Sequence, residues 1–165
     1  MVSELTKQIV LKETRSEAEN FWLCAELDGF KYTENVLVSQ IESPSGNWCA
    51  DERGIESLYI KIRSLCFNPR SPFLSQWFDY TSDINAIFRV LSKLGQADLK
   101  LGGEIWLCRF ISYLELPMAT ASTFWTIKEM LKKAEKPQQL FTALAETIAA
   151  MRRKELKLEK TDEHN

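Results

Sequence analysis

Histidine is nearly missing from this 165-residue chain: the one residue, His164, sits second from the end. Nucleophilic triads need an ordered imidazole and histidine-based metal sites need several, so both chemistries are set aside. Gly102-Gly103 is not followed by Gly-Lys-Ser/Thr, which removes a phosphate-binding loop and leaves a tight turn or helix approach. The four cysteines, Cys24, Cys49, Cys66 and Cys108, contain no C-x-x-C pair, so structural zinc spacing is absent. Reduced thiols in an intracellular, cytoplasmic protein are the expectation. No apolar run reaches the roughly 20 residues a membrane span requires. The opening Met-Val-Ser-Glu-Leu-Thr-Lys lacks the charged-then-apolar form of a signal peptide.

What remains is an ordinary globular composition, 45% hydrophobic and 27% charged, with a net charge of −2. One domain over 1–160 is expected, burying about 70% of the surface its unfolded form exposes. The charge is uneven. Residues 1–82 hold 8 Lys and Arg against 12 Asp and Glu, whereas 120–160 hold 9 against 5. Basic surface is therefore concentrated near the C-terminus.

Helical signals dominate after residue 45. The clearest element runs from Pro137, suited to a first helical turn, to about Lys160. Leu140, Leu144, Ile148 and Met151 share one face of it, widened by Phe141 and Ala145. Beyond Met151 the stripe thins among Arg152, Arg153, Lys154, Lys157 and Lys160, cations that the helix dipole favours by roughly 0.3–1 kcal/mol each. That half is either solvated or reaches a partner, and 161–165 should fray.

Upstream, Asp51 is placed as the cap of a helix carrying Ile55, Leu58, Tyr59, Ile62 and Leu65. Ser71-Pro72 should open a short helix with Phe73, Leu74, Trp77 and Phe78. Ser82 or Asp83 should cap one with Ile84, Ile87, Phe88, Leu91 and Leu94, stopped by Gly95. Ile105 to Leu114 is apolar on nearly every side and is assigned to the centre of the bundle. Thr120 or Ser122 opens a further helix with Phe124, Ile127, Leu131 and Ala134 facing in.

The first 45 residues admit two readings. Ser16 and Glu19 have the form of a capping box, with Gly29 as a left-handed stop, which gives a helix over 16–28. Alternatively Asp28-Gly29 turns a hairpin between alternating apolar residues. Val36 to Ile41, and Lys7 to Lys12 before it, could add strands. The helix is the favoured reading.

Four of the five tryptophans, Trp22, Trp77, Trp106 and Trp125, have apolar neighbours at helical spacing and are expected in the core. Trp48 falls in a loop after Ser45-Gly46-Asn47 and is a candidate partner anchor, together with Arg152, Arg153 and Lys154. Lys128, Lys132 and Lys136, with Lys133 beside them and Trp125 one turn earlier, form a basic ridge suited to a nucleic-acid backbone. A solvated lysine face explains the same residues. Asp51, Glu52 and Glu56 could chelate Mg²⁺, though capping and a solvated first turn account for them equally.

The fold expected is mainly α, an irregular bundle of five to six helices, with minor β structure allowed before residue 45. No cofactor or metal is expected. The function that fits is a non-enzymatic adaptor or small helical subunit docking onto a larger protein or nucleoprotein assembly. The alternative is a subunit touching nucleic-acid backbone, resembling only by fold-level analogy the small helical subunits of RNA-guided effector complexes. A carboxylate- and metal-dependent enzyme is the third reading.

Overall fold

The structure, a computed structural model, describes residues 2–34, 39–44, 48–49, 54–67, 76–97, 106–114 and 137–164. Six helices dominate these: α1 (Glu4–Val10), α2 (Glu17–Asp28), α3 (Ile55–Arg63), α4 (Ile84–Ala97), α5 (Trp106–Tyr113) and α6 (Pro137–His164). Three short strands, β1 (Lys31–Glu34), β2 (Ser39–Glu42) and β3 (Trp48–Cys49), form an antiparallel sheet with β2 central. A second pair, β4 (Cys66–Phe67) and β5 (Gln76–Trp77), lies beyond α3. The chain is thus mainly helical with a small β element near its start.

The helical reading of 16–28 holds. Ser16 Oγ accepts from Glu19 N at 3.2 Å and Glu19 Oε1 accepts from Ser16 N at 2.9 Å, completing the capping box. Gly29 ends α2 at φ +115°, and a Cβ there would also lie 3.3 Å from Pro44 Cβ. Only glycine meets both conditions at low cost. The chain then enters β1 rather than a hairpin turn, with Tyr32 opposite Ile41 in register.

Five consecutive residues of α2, Phe21, Trp22, Leu23, Cys24 and Ala25, are fully buried, so α2 is the helix surrounded on all sides. It packs against α1, α3, α4 and α6. Burying one such Leu or Phe side chain is worth roughly 1.5–3 kcal/mol. Phe21 meets Tyr59 edge-on at 4.9 Å and Tyr80 at 5.0 Å, and Phe30 meets Phe78 at 5.1 Å.

Helix α6 is the second axis. Leu140, Leu144, Ile148 and Met151 are buried as their spacing requires, and Phe141, Ala143, Ala145 and Ala149 join them. It touches α1, α2, α4 and α5. The helix continues to His164, past the expected end near Lys160.

Several expectations are corrected. Residues 4–10 form a helix, not part of a strand, because Ser3 caps it and Ile9 and Val10 reach the core at helical spacing. Helix α5 is not central: Trp106, Phe110 and Ile111 are buried but Arg109, Ser112 and Tyr113 face outward. Gly95 does not stop α4, which runs on to Ala97; a Cβ at Gly95 would sit 3.3 Å from Leu107 Cδ1, so the glycine serves close packing of α5. Gln76–Trp77 is extended against Cys66–Phe67 rather than helical, and Trp77 is 49% exposed. Helix α3 begins at Ile55 with Gly54 at its N-cap, and Asp51 lies outside the described residues, as do Ser71 to Leu74 and the helix expected from 120. Asp83 does cap α4, accepting from Asn85 N at 3.0 Å.

Candidate interaction site

The site is built where the two ends of the chain meet. Ser3 starts α1 by accepting from Thr6 N at 3.3 Å. Thr6 lies buried beneath, receiving Trp22 Nε1 at 3.1 Å and donating to Glu26 Oε2 at 2.8 Å. Polar side chains thus fix α1 on α2, each buried donor meeting an acceptor. On the other side, Arg15 is almost fully buried and pairs with Glu146, which fixes the start of α2 against α6.

The three consecutive cations of α6 go to three different neighbours. Arg152 Nη2 lies 3.6 Å from Glu26 Oε1 of α2, while Nη1 donates to Glu155 at 2.8 Å. Arg153 Nε donates to the Val10 carbonyl at the end of α1, at 2.8 Å. Lys154 Nζ stands 5.7 Å over the Trp106 ring of α5, where the ring face attracts a cation. Successive residues on a helix turn by about 100°, so three in a row fan across three neighbouring elements. The basic half of α6 is therefore packed onto the protein along this stretch.

One turn further, the outward side of α6 and the end of α1 enclose a groove of about 270 Å³, lined by Lys7, Leu11, Arg153, Leu156, Lys157 and Lys160. Leu11 is 74% exposed, and Leu156 is partly buried against the core. Among the described lining residues four are cations and none is acidic. Lys7 pairs with Glu4 at 2.9 Å. A larger cavity of about 370 Å³ lies beside Tyr113, Gln138 and Thr142, and its Glu146 is already paired with Arg15.

Groups with shifted protonation lie elsewhere and have packing explanations. Burial pushes the Cys24 thiol far up, reinforced by the charge of Asp28. Burial, the Asp28 charge and its hydrogen bond at 2.6 Å hold the Tyr80 phenol well above its usual range. Asp28 is 2% exposed and also pairs with Arg89 at 3.0 Å and Lys93 at 3.5 Å, which locks α2 to α4. Among the described residues no three His, Cys, Asp or Glu gather as a metal set. Glu56 is exposed in the first turn of α3, and Asp51 and Glu52 lie outside the described residues. Among the described helices none is long and apolar enough to cross a membrane.

Of the candidates read from sequence, Arg153 lines the groove, while Arg152 and Lys154 brace the helix beside it. Trp48 lies on β3, opposite Glu42 in register, and its side chain is outside the described set. Trp125, Lys128, Lys132, Lys133 and Lys136 are likewise outside it. Sequence reasoning missed Lys7 and Leu11 because Lys7 to Lys12 could also be read as a strand. The signal that could have found them is Ser3 before Glu4, a cap followed by a first-turn acid. No protein-family model, curated protein or solved structure matches the chain.

Proposed function

We propose that this protein is a non-enzymatic docking subunit or adaptor that joins a larger protein or nucleoprotein assembly through the groove between α1 and α6. The observation that carries the reading is the pairing of exposed Leu11 with Leu156 inside a concavity walled by cations. A lone exposed leucine is ordinary, but an apolar floor inside a polar rim is the anatomy of an interface. The groove is held by a scaffold, since Arg153 ties α6 to α1 and Thr6 ties α1 to α2. A preformed surface of this kind loses little entropy on binding. Two of the shifted groups, Cys24 and Tyr80, are fully buried in the core, where packing accounts for their shifts. Cys24 and Cys108 are free thiols, in keeping with a reducing cytoplasmic setting.

The test is purification of the tagged protein from its source cells under native conditions, beside a Leu11→Asp variant. A stoichiometric protein partner is expected with the wild type, with recovery at least tenfold lower in the variant and an unchanged melting temperature. Absence of any stoichiometric partner would contradict the reading. Retention of RNA or DNA instead, weakened steeply by salt, would move the assignment to the nucleic-acid subunit.

A further inference from the structure

The groove has a chemical character that selects among protein partners. Along α6 its residues fall at 153, 156, 157 and 160, one stripe of a helix about 10 Å long. Across from them stand Lys7 and Leu11 of α1. Two leucines make the floor and four cations the walls, without a carboxylate among the described lining residues. Taking the docking reading as its basis, we propose that the occupant is an acidic amphipathic helix of the partner, with aliphatic residues on one face and Asp or Glu flanking them.

Backbone hydrogen bonding favours a helix as the occupant. Both walls are helix and offer no strand edge, so an extended peptide would leave most of its own N–H and C=O groups unmet. A helix satisfies its backbone itself and offers only side chains, the mode in which amphipathic helices fill grooves. Charge complementarity favours an acidic one. Lys and Arg lay their methylene stems along apolar surface and keep their heads at its edge, where a flanking carboxylate meets them. The volume of about 270 Å³ suits a few aliphatic side chains and falls just under the roughly 300–1,000 Å³ of small-molecule sites. Phosphate recognition alone would leave the leucine floor unused, and none of the described lining residues is aromatic for base stacking.

The experiment uses the full chain and three fluorescent probes. They are an 18-residue helical peptide with a Leu stripe flanked by Glu, its counterpart with Lys for Glu, and vesicles of anionic phospholipid. Variants are Leu11→Asp and the double change Lys157→Glu with Lys160→Glu, all at exposed positions and so not expected to disturb folding, which thermal melting checks. The expected result is that wild type binds the Glu peptide at least tenfold more tightly than the Lys peptide. That preference should weaken with salt, vanish with Leu11→Asp and reverse in the charge variant. Equal binding of both peptides, unaltered binding of the Glu peptide by the charge variant, or binding of vesicles without the peptide would overturn the proposal. Should Leu11→Asp release the cellular partner while the Glu peptide fails to bind, the docking reading stands and this inference falls. Failure of both removes both.

Discussion

Arg153 donates from Nε to the main-chain carbonyl of Val10 across 143 residues of sequence, at 2.8 Å. The carbonyls in the last turn of a helix have no partner within it, and a cation is the donor the helix dipole favours there. This bond ties the end of α1 to α6 beside the groove. Replacing Arg153 with Met keeps the aliphatic stem and removes the donor. The expected cost is about 1–3 kcal/mol by urea denaturation, with faster amide exchange confined to α1.

Asp28 anchors the other long-range joint. Its carboxylate receives Tyr80 and Arg89, and its main-chain carbonyl receives Lys93. Asp28→Ala leaves Tyr80 and Arg89 without their buried acceptor, while Lys93 keeps the main-chain carbonyl, and should cost about 3–5 kcal/mol. Tyr80 adds a dependence on alkali. Its phenol titrates higher in the folded chain than its ordinary 10.0, so its contribution is complete below pH 10 and is lost as pH climbs beyond it. Tyr80→Phe should flatten that alkaline decline while lowering stability at neutral pH, both read from urea midpoints against pH.

Acid acts through two other carboxyls. Burial alone would raise Asp79, but bonds from Thr81, Ser82 and Arg63 outweigh it and bring it below its ordinary 3.8. Glu19 is treated the same way: burial raises it, and Lys12 and Ser16 more than reverse this to bring it below 4.5. A lowered folded value means stability present above the ordinary value and lost as pH falls through it. Stability should therefore hold above pH 5 and fall below about pH 4.5, with a shallower slope in Asp79→Asn and Glu19→Gln.

Gly95 tests the packing of α4 on α5. Alanine in a helix interior is better than glycine by about 0.5–1 kcal/mol, but its Cβ would meet Leu107 at 3.3 Å. The contact is with the end of a flexible, half-buried side chain that can yield. Gly95→Ala should therefore change stability by less than about 1 kcal/mol, whereas Gly95→Leu should cost about 1–3 kcal/mol by overpacking. Thermal or urea melts of the two variants decide it.

The sequence disclosed those elements whose ends and faces are local. The box of Ser16 and Glu19, the stop at Gly29 and the four-step repeat from Leu140 to Met151 each need only neighbours in the chain, and each stands in the structure. What failed were choices made by tertiary contact. Gly95 looks like a helix stop by type, yet its lack of a side chain is used by Leu107. Trp77 fits a helical spacing with Phe73 and Leu74, yet it pairs with Cys66 in extended form. Helix α5 is as apolar as α2 by composition, but only packing shows which is enclosed. The groove was hidden for the same reason: its walls lie at opposite ends of the chain, and periodicity carries no information about which helices meet.

The measurement that tests the docking account most directly is site-specific photo-crosslinking in the source cells. A benzophenone side chain would replace Leu11 in the groove or, as the comparison, Ile60, which is 67% exposed on α3 outside it. The account predicts one dominant protein adduct from position 11, abolished when Lys157 and Lys160 are changed to Glu, and none of that adduct from position 60. No adduct at position 11, or the same adducts from both positions, would contradict it.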